Sequence, residues 1–593
     1  MTQNKGAPPS EAQAKESEIR NPKSEIALSA FLVALYVAAR LRQLTATCLW
    51  FDEIFSVHAA RHAWGELWRF AAADLIHPPL FYALLKIWVG VGGESLLWLR
   101  LFPALTSIAA LVPIFLLARE LRLGAAATNA ALVLLAANGY LIKYAQEVRM
   151  YSLLLLLTLF SLWLFAKLVK ADRATLKLHF ALAVVNLLLV YTHYYGWLVV
   201  TSEAASLVFK DRRRLRAFLI SSASVVLLFV PWIVACVREA GEGGGLAQNI
   251  GWIERPGARD LWQLFALLNE PFYFRQSSDE SLYARGGAIL GLILVGLPIA
   301  LLILRTLRKQ HEPASHIDDE HTAGGLNEFG ERGEGAVTLL FLSLFTLLPI
   351  VLAFAASYAL PESIWGERHL IVVAAPYALL AGVALARLRP VWLKGAALVV
   401  LCCWFTLAGA LTFVVRRDEN YIWCAWENLA ASAARDEAQT EANSTGDANS
   451  TGDARRAGDS GAQAINVFAF EDLIAYHLWF ALDDAGARRF NVVVLKGLPG
   501  VAEDTAYFLP RRFDGVAKAA GADSLAGERF FAAFRGAAWD ESREPLKTIL
   551  ERGYRAERVY ETQAQAQRAF LVLFSRPGPP KDADAASARI EKR

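Results

Sequence analysis

The chain has 593 residues, 55% of them hydrophobic, with a mean hydropathy of +0.33 and a formal net charge of +3. Soluble chains of this length lie nearer about 45–50% apolar and divide into several cores, so an ordinary soluble enzyme is excluded. The small net charge gives no field for nucleic acid. Five cysteines (Cys48, Cys236, Cys402, Cys403, Cys424) show neither metal spacing nor a disulfide framework, and most read as small apolar packing residues.

Apolar runs of about 18–22 residues recur, each long enough to cross roughly 30 Å of hydrocarbon. After a polar cytoplasmic tail at 1–25, spans are expected near 26–44, 97–118, 125–142, 150–168, 179–198, 199–209, 217–236, 287–304, 337–356, 370–387 and 393–414. With the N-terminus inside, the basic connections at 119–122, 167–177, 210–216, 305–309 and 387–394 all fall on the cytoplasmic side, as the positive-inside tendency requires. Arg40 and Arg42, at the outer end of the first span, are the exception and are expected to snorkel. About eleven spans leave the C-terminal region outside, and residues 306–335 read as a polar cytoplasmic loop.

The stretch 53–92 is expected to lie along the membrane surface. Residues 56–73 form an amphipathic pattern with Trp64, Trp68 and Phe70 on one side. His77-Pro78-Pro79 then blocks helix, and 80–91 is apolar but short for a crossing. Beyond the bundle (26–415), residues 416–463 read as a linker whose near-duplicated Asn-Ser-Thr-Gly-Asp composition buries no core. Residues 464–576 read as a small extracytoplasmic α/β domain, with strands at 465–470, 491–495 and 569–574 and helices at 471–482 and 546–552. The tail at 577–593 reads as disordered. The fold class is mainly α: a polytopic helical bundle with an outer α/β domain.

Charged and aromatic residues far apart in the chain gather at the outer ends of these spans. Asp52 and Glu53 follow the first span, His77 lies in the interfacial stretch, and Arg100 opens the second span. Glu147, Arg149 and Tyr151 open the fourth, His193 and Tyr194 close the fifth, and Arg368 precedes the tenth. A carboxylate pair near a membrane interface is costly unless it faces water or a partner, so it reads as a site. Taken singly, Arg100, Arg149 and Arg368 also read as snorkelling cations, and His193 and Tyr194 as aromatic-belt anchors. Glu203 sits inside an apolar run with no nameable partner.

Phe51-Asp52-Glu53, His77-Pro78-Pro79-Leu80 and Arg100 in Leu-Arg-Leu-Phe-Pro-Ala occur in order, followed by the Tyr144–Tyr151 motif and Arg368-His369-Leu370. This series resembles the family C (GT-C) membrane glycosyltransferases, and within them family 39, the protein O-mannosyltransferases and lipid A aminoarabinose transferases. The resemblance covers roughly residues 26–415 and implies inverting transfer from a polyprenyl-phosphate sugar. It implies Asp52 as general base, with Glu53 beside it, and Arg100, Arg149 and Arg368 as phosphate contacts. His77, Glu147, Tyr151, His193 and Tyr194 fall to substrate binding. Asp52 with His77 could also hold a divalent metal, and no other cofactor is implied. The acceptor is a lipid, glycan or protein. No P-loop-type Gly-rich loop is present, and the one Asp-x-Asp, Asp582 and Asp584, lies in the tail, so a lipid donor fits better than a nucleotide sugar. The alternative from another class is a transporter or flippase of lipid-linked sugars, which calls for mid-bilayer ionisable groups and paired broken helices.

Overall fold

A computed structural model describes residues 22–171, 175–208, 212–241, 247–272, 282–311, 325–414, 422–448, 464–501, 509–564 and 567–576. The tails expected at 1–25 and 577–593 lie outside these residues, except that 22–25 form the start of a helix. Chain contacts define two compact units. The first comprises Met1–Arg42, Arg100–Ile233 and Ile253–Val415; the second comprises Gln43–Leu99, Val234–Trp252 and Arg416–Arg593.

In chain order the helices are α1 (Pro22–Leu41), α2 (Phe51–Arg61), α3 (Trp64–Asp74), α4 (Leu80–Gly92), α5 (Leu96–Ala109), α6 (Leu111–Glu120), α7 (Ala125–Ala137), α8 (Gly139–Ala145) and α9 (Tyr151–Lys170). They continue as α10 (Leu176–Thr192), α11 (Gly196–Val208), α12 (Arg212–Ala240), α13 (Ala247–Ile250), α14 (Ala258–Asn269), α15 (Leu282–Gly291), α16 (Leu297–His311), α17 (Gly325–Ala359), α18 (Ala374–Ala386) and α19 (Val391–Val414). Among the described residues, eight helices are long and apolar enough to cross a membrane, and Leu80–Gly92, Ala125–Ala137, Leu176–Thr192 and Gly196–Val208 are shorter apolar helices. Eleven full crossings are therefore not confirmed. One reason is visible at Asn138: its side-chain oxygen accepts from Leu141 N–H at 2.9 Å and starts a new helix, splitting the run read as 125–142. The loop expected at 306–335 is shorter than read, since α16 runs on to His311 and α17 starts at Gly325.

The first unit is built around α18, whose residues Ala374 to Leu385 are all buried. Gly382 is where α18 crosses α7: a Cβ there would fall 2.3 Å from the Ala127 carbonyl oxygen and 2.9 Å from Ala131 N. Small residues permit such close approach in a membrane bundle, where dispersion rather than water expulsion holds helices together. Arg40 does not snorkel. It is fully buried, and its guanidinium donates to Leu135 O at 2.9 Å, Tyr36 O at 3.1 Å and Ser107 Oγ at 3.2 Å. One of those carbonyls lies in the last turn of α7, where a cation meets unpaired carbonyls and the negative dipole end. Glu203 also has partners: Ser161 Oγ lies 2.6 Å from its Oε1, and Asn186 Nδ2 donates to its Oε2 at 2.7 Å, joining α9, α10 and α11.

In the second unit, the composition that read as a linker from 416 instead carries helix α20 (Ile422–Ala448). Its first half buries Trp426, Leu429, Ala430 and Ala433, an apolar face that the polar second half conceals in an average over the segment. The six-stranded sheet has the order β3-β2-β1-β4-β6-β5, from β1 (Ile465–Ala469), β2 (Phe490–Lys496), β3 (Ala517–Ala520), β4 (Arg529–Gly536), β5 (Arg555–Ala564) and β6 (Gln567–Ser575). Strands β3, β2, β1 and β4 are parallel, and β6 and β5 add antiparallel. Helix α21 (Asp472–Asp484) links β1 to β2 as a crossover, and α22 (Leu546–Glu551) packs on the opposite face over Phe468, Phe530, Phe534, Phe570 and Phe574.

Candidate active site

The acidic pair occupies the first turn of α2 in the second unit. There the unpaired N–H groups and the positive dipole end favour a carboxylate. Glu53 is buried, and its Oε2 accepts from Trp50 N–H at 3.1 Å, the reach-back half of a helix cap. Asp52, one residue earlier, is half-buried. The two carboxylates therefore differ: Glu53 fixes the start of the helix, and Asp52 is the more accessible. His77 is buried, with Nδ1 3.1 Å from Asp74 Oδ2. A carboxylate on one ring nitrogen orients the other, which suits either a hydrogen bond to substrate or a metal ion.

Helix α2 is held along its length by other parts of the second unit. Cys48, just ahead of it, is disulfide-bonded to Cys424 at the start of α20. This corrects the expectation of unpaired packing cysteines; a partner 376 residues away leaves no local spacing to read. Tyr476 of α21 packs edge-on against Phe51 at 5.2 Å, and its hydroxyl lies 2.9 Å from His58 Nδ1. Phe70, Trp479 and Phe513 surround the His58 ring at about 5 Å. Burial, with His62 and Arg61 adding to it, pushes His58 down to about 3, so the ring is neutral. At the far end Arg61 pairs with Glu94 at 2.6 Å and Asp483 at 3.0 Å.

The first unit gathers a second group. The rings of His193 and His369 lie 4.5 Å apart, with Tyr195 5.1 Å and Tyr151 6.1 Å from His369. His193 ends α10 in an extended conformation, and its Nδ1 accepts from Tyr195 N–H at 3.0 Å. Tyr195 Oη donates to Ile364 O at 2.6 Å and Tyr140 Oη to Glu367 O at 2.7 Å, tying these helices to the loop before Arg368. Glu147 and Arg149 are buried in the turn between α8 and α9, and Arg100 is buried on α5. Burial raises the Glu367 carboxyl, with Asp260 adding to the effect and Arg368 opposing it. Tyr151 and His193 thus each lie beside His369. The Tyr194 hydroxyl accepts from Trp232 Nε1 of α12 at 3.0 Å. Tyr195 and Tyr140 escape a reading of the sequence because aromatic residues at span ends read as interfacial anchors.

No protein-family profile matches the chain, and no curated protein matches it. Among solved structures it is similar to ArnT from Cupriavidus metallidurans in the apo state, with a TM-score of 0.52 and 14% identity, over 92% of this chain and 97% of that one. The same protein bound to undecaprenyl phosphate gives 0.49, at 14% identity and the same coverage. The oligosaccharyltransferase AglB from Archaeoglobus fulgidus, in complex with an inhibitory peptide and a dolichol-phosphate, gives 0.38 at 13% identity, over 77% of this chain and 63% of that one. Along nearly its whole length, the chain has the membrane fold of ArnT.

Proposed function

We propose that the chain is a GT-C glycosyltransferase that moves a sugar from a polyprenyl-phosphate donor to a lipid, glycan or protein acceptor at the outer face of the cytoplasmic membrane. The observation that carries this reading is the fold shared with ArnT over 92% of the chain, at a TM-score of 0.52. It is joined by the acidic, His-Pro-Pro and Leu-Arg series of the sequence. The N-terminus is assigned to the cytoplasm and the sheet domain to the outside. The positive-inside pattern supports that orientation, as does the Cys48–Cys424 disulfide, since such bonds persist in oxidising compartments.

In this mechanism Asp52 takes the proton of an acceptor hydroxyl as its oxygen attacks the anomeric carbon. The bond from that carbon to the phosphate oxygen breaks on the opposite face, inverting the configuration, and the polyprenyl phosphate leaves with the electron pair. Charge grows on the phosphate as the bond breaks. Arg100, Arg149 and Arg368 are assigned to it, because guanidinium forks bind two oxygens and favour the transition state over the ground state. His77, Glu147, Tyr151 and His193 are assigned to the sugar. Glu53 acts through the helix cap, and Tyr194 is assigned to the sugar as well. Transport of lipid-linked sugar, which calls for mid-bilayer ionisable groups, is less well supported: Glu203, the one such group noted in mid-span, is engaged by Ser161 and Asn186.

The test has two steps. Mass spectrometry of envelope glycolipids and glycoproteins, with and without the gene, identifies the product; purified protein is then assayed with the implicated polyprenyl-phosphate sugar. Asp52→Asn is expected to express normally and to lose at least about a hundredfold in transfer, the usual scale for a general base. Full activity in that variant removes Asp52 from the mechanism.

A further inference from the structure

The sheet domain contains a cavity that the transfer reading does not use. It lies where the parallel strands β2 and β3 end at their carboxyl edge, on the face covered by α21, and has a volume of about 420 Å³. Asp472, Lys496, Lys518, Val494 and Leu509 line it, with Ala519 and Ala520 along β3. The register explains why these side chains meet. Val494 pairs with Lys518 and Lys496 with Ala520, and alternate residues of a strand share a face, so both lysines point to the α21 side. Gly497 and Gly521, at φ of +77° and +75°, turn the chain away directly after both strands, a conformation that glycine adopts without strain. The volume lies within the range of small-molecule sites.

The lining is chemically specific. Asp472 opens α21, its side chain only 6% exposed, and its Oδ2 lies 3.2 Å from Lys496 Nζ. One lysine suffices to neutralise that carboxylate. Among the described lining residues, Lys518 then leaves one positive charge that this pair does not offset, suited to a single anionic group. The paired carboxylate keeps lone pairs that accept from hydroxyls. Val494 and Leu509 supply apolar surface for the C–H face of a ring. We propose that this cavity binds an acidic sugar: a carboxylate or phosphate carried on a polyhydroxylated ring. Under the transfer reading the occupant would be part of the acceptor, but the test needs no transfer, so the two stand or fall separately.

The experiment is isothermal titration of purified full-length protein in detergent, at pH 7 and low salt, with D-glucuronate, D-glucose, acetate and inorganic phosphate. Glucuronate is expected to bind saturably, and the other three at least about tenfold more weakly, because each lacks the anion or the hydroxyls. Lys518→Gln, on an exposed side chain, is expected to weaken glucuronate about tenfold, the scale of one charge-assisted hydrogen bond. Ala520→Phe is expected to abolish binding by filling the cavity, and both variants should unfold at the wild-type temperature. Competition by a glucuronosyl diacylglycerol in nanodiscs assigns the sugar to a lipid headgroup; failure to compete assigns it to a free or glycan-borne saccharide. Absence of saturable glucuronate binding overturns the proposal. So does wild-type affinity in either variant, or phosphate binding as tightly as glucuronate.

Discussion

Position within one helical turn separates Asp52 from Glu53. Both gain from the helix N-terminus, but the third position lets Glu53 reach back to Trp50 N–H, while Asp52 is the less buried of the two. Glu53→Gln, which still accepts that bond, should therefore keep far more activity than Asp52→Asn, a contrast the transfer assay reads directly. At Glu203, Ser161 Oγ lies 2.6 Å from both Asn186 Oδ1 and Glu203 Oε1. A hydroxyl carries one proton, so the three contacts close into a ring when the carboxyl donates to Ser161. Glu203→Gln can complete the same ring and is expected to retain the wild-type unfolding temperature, whereas Glu203→Ala leaves buried polar groups unmatched at about 1–3 kcal/mol. Thermal unfolding in detergent separates the two outcomes. Burial also holds His58 at about 3 and His477 at about 4, against an ordinary 6.5. The unfolded chain binds more protons below pH 6.5, so stability is lost as pH falls from there towards 3–4, by up to about 1.4 kcal/mol per pH unit for each histidine. Replacing both by phenylalanine should flatten that acid limb in pH-dependent unfolding.

At the scale of elements, α2 is too short to be stable alone, and packing must hold it. The disulfide to α20, the Tyr476 contacts and the Arg61–Asp483 pair supply that packing from the C-terminal part of the second unit. Replacing Cys48 and Cys424 by serine is expected to lower stability by about 2–4 kcal/mol and to reduce transfer, seen as a lower unfolding temperature with less product per enzyme. Tyr476→Phe keeps the ring against Phe51 and removes only the hydroxyl beside His58, so about 1 kcal/mol is expected. Gly382→Leu would force a side chain into α7 and should abolish folding, read as loss of the monodisperse species in size-exclusion chromatography. Elements with long periodic patterns were legible: the short apolar helix α4, the strands at β1, β2 and β6, and most long spans, whereas the amphipathic run read as one stretch at 56–73 is two helices, α2 and α3, parted after Arg61. β3 (Ala517–Ala520) and β5 (Arg555–Ala564) were not, because edge strands carry polar or small residues that lack an alternating apolar face, and central β4 was not, because its short continuous apolar run has no alternation to tell strand from helix.

At the scale of the molecule, the proposed orientation predicts that reagents confined to the outside reach the sheet domain. A cysteine placed at exposed Lys518 should react with a membrane-impermeant maleimide in intact spheroplasts, and one placed at Arg305 should not. Labelling of Arg305→Cys alone would invert the topology and remove Asp52 from the outer face.

Hydropathy, the basic connections and the ordered Asp52, His77 and Arg100 motifs fixed the class of this protein from sequence alone, because the bilayer imposes length and charge rules on every span independently of its neighbours. Local rules do not reach groups whose state depends on what packs against them. Only the tertiary structure decided that Arg40 caps α7, that Glu203 is matched, that Cys48 bonds Cys424, and that two lysines of adjacent strands share a cavity with Asp472. Each pairs residues distant in the chain, and such pairing follows from the fold rather than from spacing.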